Sequence, residues 1–192
     1  MITMTVKDNF ADVKRQLDEL QKGVREQALV SAVNKTLAQG KTRMAQEISS
    51  EFNIKSGDVK ARMEILAADR RSGYFNIKGT LQVTGKRGRS LNLINFDARK
   101  SKNGVTVRIT RRGGRKNIKG AFIANAGRTV FERVGKARLP IKAMQTIDVP
   151  QMFNTKRINR VVVQLLQDKF PEVFANEAKF FTDSFNARKA AA

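Results

Sequence analysis

The chain has 192 residues, with 38 Lys and Arg against 17 Asp and Glu, neither Cys nor His, and a formal charge of +21. The missing Cys and His exclude disulfides, thiol nucleophiles, imidazole bases and the usual soft or borderline metal ligands, and fit a reducing compartment such as a cytoplasm. Residues 71–160 hold 22 of the cations but only three acids, Asp97, Glu132 and Asp148, so the middle alone carries +19 and its field should attract a phosphate backbone or an acidic protein surface.

At 41% hydrophobic, the chain can bury one sizeable core. The expected architecture is a single α+β domain over 1–192, with helical segments at 8–65 and 154–189 flanking a basic, β-rich middle at 71–150. Lys7 and Asp8 interrupt the start, so no secretory signal is expected. The longest run of Val, Ile and Leu, Val161–Val163, is far short of the roughly 20 apolar residues of a membrane span.

In chain order, Phe10, Val13, Leu17 and Leu20 predict an amphipathic helix over 8–21, ended at Gly23. A second helix carries Val30, Val33, Leu37, Gly40, Met44 and Ile48 on one face, where Gly40 is either a tolerated defect or the point of close approach of a partner helix. Ser56 is a candidate cap for a short helix running to Ile65. Five β-prone runs follow, at 74–77, 91–96, 105–109, 121–123 and 130–134, as strands of a small antiparallel sheet. Two glycine-bearing basic loops, 84–90 and 110–117, are expected to be floppy. Gly135 and Lys136 suggest a hairpin turn, with Leu139–Ile141 returning as an edge strand because of Pro140. Helical periodicity resumes with Asn154 as a candidate cap and an apolar face of Ile158, Val161, Val162 and Leu165. Pro171 should kink that helix or start a new one, and Phe174, Ala178, Phe181 and Phe185 form an aromatic seam beyond it.

No catalytic constellation stands out. Gly40, Lys41 and Thr42 imitate the end of a phosphate-binding loop, but Lys35 occupies the place of its first glycine and the segment lies within a helix. Gly79, Gly85 and Lys86 have one residue too many between the glycines, and Arg87 replaces the magnesium-holding hydroxyl. Asp97, Glu132 and Asp148 are far apart in sequence and are expected to pair with neighbouring arginines, so neither an acid–base pair nor a metal site is expected. No cofactor is called for. The strongest functional signal is Lys86, Arg87, Arg89, Arg111, Arg112, Arg115 and Lys116, expected to touch a polyanion through its phosphates without reading bases. Phe180 lies off the aromatic seam, so some aromatic area should remain for docking to another subunit.

Three blocks resemble the minor tail protein Z family of lambda-like, long-tailed bacteriophages. The first is Ala32, Val33, Asn34, Lys35 and Thr36 running to Ile48, then Phe52, Asn53, Ile54, Val59 and Arg62. The second is Phe96, Gly104–Val107 and Ile118–Ile123. The third and most specific is Val130–Ile141, similar to the family's arginine-bearing hairpin. Where related proteins often carry Gly, Pro and Ser before a Val-Pro pair, Thr146, Ile147 and Asp148 stand before Val149 and Pro150. The resemblance implies a virion structural protein, assembled in the host cytoplasm, that completes the tail at its head-proximal end. It further implies a ring, expected to be hexameric, joined to other tail or neck proteins around the DNA path. The expected subunit interface takes Phe131, Arg133, Arg138 and Pro140 from the hairpin and Phe180, Phe181 and Phe185 from the C-terminal seam. The other reading of the charge is a sequence-nonspecific architectural nucleic-acid-binding protein.

Overall fold

The structure is a computed structural model describing residues 2–3, 22–69, 77–83 and 90–191. The helix expected over 8–21, nearly all of the strand at 74–77 and the loop cations Lys86, Arg87 and Arg89 lie outside those residues. The fold is mixed α+β. The backbone gathers into two compact units, one formed mainly of Ala45–Arg62 and Val83–Thr155, the other of Ile2–Met44, Met63–Gln82 and Lys156–Ala192.

The second unit is built on the long helix α1 (Lys22–Glu51) up to Met44 and the helix α4 (Lys156–Ala190), with a three-stranded sheet ordered β1–β3–β2. Its strands are β1 (Ile2–Thr3), β2 (Met63–Leu66) and β3 (Thr80–Val83). Gly23 lies inside α1 and does not end a helix. The buried stripe of α1 follows expectation at Gly40, Met44 and Ile48, which are covered, but toward the N-terminus Ala28 and Ala32 are buried whereas Val30, Val33 and Leu37 are half-buried. The cause is the bulk of α4, where Phe174 and Ala178 pack against Ala28 and Ala32, so small residues are needed opposite the ring. At Gly40 a Cβ would lie 2.7 Å from Leu166 Cδ2, so this glycine marks close approach of a partner helix. Pro171 stands inside α4, which continues as one helix to Ala190 although the proline has no N–H for the carbonyl four residues earlier.

The same unit explains the Ala-Val-Asn-Lys-Thr run. Ala32 meets Phe174. Val33 and Leu37 crowd the backbone at Gly79, where a side chain would collide with them. The Asn34 amide grips the Ala68 backbone, accepting from its N–H at 2.8 Å and donating to its carbonyl at 3.1 Å. Lys35 pairs with Glu177, and Thr36 is 4% exposed.

In the first unit, α2 (Ser56–Lys60) is shorter than expected. Lys55 is its N-cap, without a side-chain cap bond, and Met63–Leu66 has become strand β2. Two three-stranded antiparallel sheets follow. One is β4 (Arg99–Ser101), β5 (Gly104–Val107) and β6 (Lys116–Lys119); the other is β7 (Ala121–Ala124), β8 (Thr129–Arg133) and β9 (Ile141–Ala143). They share a core of Leu93, Val105, Val107, Ala121 and Val130. The expected strand at 91–96 is instead an isolated bridge at Asn92 followed by a 3₁₀ turn, Leu93–Asn95. Asn92 decides this: its side chain accepts from the N–H of Ile94 and of Val130 and donates to the Val130 carbonyl, replacing a ladder partner with a cap. Asp148 caps α3 (Val149–Phe153) in a reciprocal capping box with Gln151, so the Thr-Ile-Asp departure carries a helix start. Asn154 is the C-cap of α3 and does not begin α4.

Candidate functional site

The cationic surface of the first unit starts from strand alternation. Arg99, Thr106 and Asn117 form one cross-strand row, and Ser101, Gly104 and Lys119 the next. Val105, Val107 and Ile118 point the other way, into or against the core, so the first set forms the outer face of this sheet. Gly104, at φ 152°, lies against the Ile118 carbonyl, and a side chain would block that close pairing of β5 and β6.

The basic loop at 110–117 is tied down, contrary to the expected floppiness. Arg108 donates from Nε to the Gly113 carbonyl at 3.2 Å and from Nη2 to the Arg111 carbonyl. Arg111 Nε donates to the Ser49 carbonyl at 2.5 Å, while its backbone N–H reaches the Glu51 carbonyl. Arg115 pairs with Asp97 at 2.5 Å and also bonds the Asp97 carbonyl, and Arg99 reaches the same carboxylate at 3.1 Å. The Arg115 hydrogen bond, then that of Arg99, holds the Asp97 carboxyl below its ordinary value. The expected pairing of acids with arginines thus holds for Asp97, and for Asp148 at 3.8 Å from Arg62. Arg112 is exposed on the loop, and Lys116 is exposed but already belongs to β6. Arg99, Arg108 and Lys119 were missed because charge counting singled out loops. Alternation around Ile118 was the available signal.

The hairpin also departs from expectation. Its return strand is Ile141–Ala143, and 134–140 forms the connection, closed by the Val134 N–H to the Pro140 carbonyl at 3.1 Å. Pro140 cannot donate to the ladder, so paired strand begins one residue later. Phe122 and Phe131 face each other across β7 and β8 with rings stacked 6.1 Å apart. The Arg133 guanidinium lies 5.3 Å from the Phe122 ring centre and donates to the Arg138 carbonyl at 3.0 Å. Arg133 is therefore exposed but engaged within the hairpin, and Lys136, Arg138 and Pro140 are exposed beside it.

On α4, Phe174 is fully buried and Phe181 is partly buried against the same cluster. Phe180 and Phe185 are 61% and 39% exposed, so the aromatic seam is core at one end and surface at the other. Glu177, 7% exposed, was missed by sequence reasoning. It accepts from Ser31 at 2.6 Å and Lys35 at 2.5 Å. Burial raises its pKa, but the bonds from Lys35 and Ser31 outweigh that and hold it below the ordinary value. Its position three residues after Phe174 and four before Phe181 was the signal that it faces α1. Ser31, Lys35 and Phe181 also line an open groove of about 640 Å³ beside α1.

Gly40, Lys41 and Thr42 lie within α1, not on a phosphate loop. Among the described residues no group of three or more Asp and Glu is arranged to hold a metal ion, and no helix is long and apolar enough to cross a membrane. No curated protein and no solved structure matches the chain. The family model described as prophage minor tail protein Z (GPZ) matches residues 11–181, a span containing every strand except β1, together with α1 and most of α4. The chain therefore belongs to the prophage minor tail protein Z family and is a structural protein of the phage tail, and so of the virion.

Proposed function

We propose that the protein completes the tail at its head-proximal end. There it forms a ring of about six copies, contacts other tail or neck proteins, and helps join head to tail around the DNA path. Family membership supports the tail role, and the observation that carries the DNA-facing part is the outer sheet face bearing Arg99 and Lys119. Arg112 adds an exposed cation on the loop before β6, and Lys116, opposite Val107, adds another at the start of that strand. Phosphate contacts through such cations neutralise the backbone without reading sequence, as passage of DNA of any sequence requires. Within the loop, Arg111 and Arg115 hold its shape through Ser49 and Asp97. Lys86, Arg87 and Arg89 are proposed to contact phosphate as well. The exposed Phe180 and Phe185, with Phe181, are proposed to contact a neighbouring subunit.

The test is complementation of a phage lacking this protein with a variant carrying Arg112→Gln, Lys116→Gln and Lys119→Gln. Tails are expected to incorporate the folded variant yet yield fewer DNA-containing infectious particles. Full infectivity would remove the DNA-facing role, and absence of the unaltered chain from purified tails would remove the tail-completion role. In that case, coating of DNA without particles would favour the architectural nucleic-acid-binding reading.

A further inference from the structure

We infer that the β8–β9 hairpin is a docking element for an acidic protein, separate in chemistry from the surface offered to phosphate; this rests on the tail reading above. On the sheet β4–β5–β6 the exposed cations stand among Ser101, Thr106 and Asn117, and no large apolar side chain of that sheet is exposed. The hairpin is different. Val134 and Leu139 are each 66% exposed and Ile141 38%, interleaved with exposed Arg133, Lys136, Arg138 and Lys142. A phosphate backbone gives aliphatic side chains nothing to pack on, whereas the centre of a protein interface does.

The tip is already organised for docking. The Val134 N–H bond to Pro140, the Arg133 bond to the Arg138 carbonyl and the Arg133 contact with the Phe122 ring fix the connection before any partner arrives. Little ordering entropy is then lost on binding.

Charge selects the occupant. From Thr129 to Ala143 the only acid is Glu132, which lies opposite Lys142 in the ladder. A second copy presenting the same hairpin would be repelled. The exposed aromatics among the described residues, Phe180 and Phe185, belong to a stretch after Arg160 with four acids and four bases, so that patch has no negative surplus to offer. The surface that fits is an apolar cleft on a different protein, rimmed by Asp and Glu.

The test places a photo-crosslinking amino acid at Leu139, and separately at Val134, of the full chain in cells assembling tails. Expected is an adduct to another virion protein within a peptide rich in Asp and Glu. Lys136→Glu with Arg138→Glu should lower its yield by roughly tenfold or more, and reversing the contacted acids to Lys should restore it. An adduct to a second copy or to DNA, indifference to the charge reversal, or no adduct at either position in particles that contain the protein would each overturn the inference. Co-sedimentation of the unaltered chain with tails is read separately. Should it fail, the tail reading falls, and the same charge-swap criterion applied to adducts in the cell extract still decides the hairpin.

Discussion

Both units contain a carboxylate clamped between two donors, and the two clamps do different work. Glu177 lies 7% exposed between the half-buried Ser31 on α1 and the ammonium of Lys35, whose side chain is 58% exposed, so removing it takes the acceptor from the Ser31 hydroxyl while water can still reach the lysine. Asp97 is an exposed residue at φ 50° between Arg99 and Arg115, where solvent screens the pairs and little stability is gained. Its effect is on shape, because it fixes which way two guanidinium groups point. Burial turns an ion pair into a stability element, and exposure turns the same chemistry into surface design.

The comparison breaks first if the helix pair does not depend on its core. Phe174→Ala should cost about 3–5 kcal/mol, read as a lower midpoint in urea unfolding, since the ring fills the space opposite Ala28 and Ala32. A loss under about 1 kcal/mol would mean that the pair is held by something else. Glu177→Ala should cost about 1–3 kcal/mol by leaving Ser31 and Lys35 without their acceptor. Because Glu177 titrates below its ordinary 4.5, its contribution is complete above that pH and is lost as pH falls through the lowered folded value. A Glu177→Gln variant should flatten the acid limb of the stability–pH curve, and an unchanged limb would contradict the clamp.

A smaller loss, about 1 kcal/mol, is expected for Asp148→Ala, which removes the capping box of α3. Smallest in stability is the triple change Arg112→Gln, Lys116→Gln and Lys119→Gln, expected within about 0.5 kcal/mol of the parent because the three are exposed. Its effect belongs to binding: the slope of log affinity for duplex DNA against log salt should flatten by about 0.9 for each cation that touches a phosphate. A triple variant that unfolds easily but keeps its salt slope would reverse the assignment of the two regions.

Composition and periodicity determined the α+β class, the helical character of 22–51 and 156–190, the strand runs around Val105, Ala121 and Val130, and the cationic middle. These are local or additive properties that a residue expresses wherever the chain folds. What only tertiary structure decided is which side chain meets which. The face of α1 that is buried follows from the size of Phe174, a residue more than 100 positions away. The segment at 91–96 reads as strand by propensity and becomes a capped turn because Asn92 finds Val130 across the sheet. Arg111 and Arg115 read as loose loop cations until Ser49 and Asp97 take their donors. Hydrogen bonds and steric fit act over a few ångströms between residues distant in sequence, so no window on the chain contains them, whereas charge excess and hydrophobic period are already present in the string of residues.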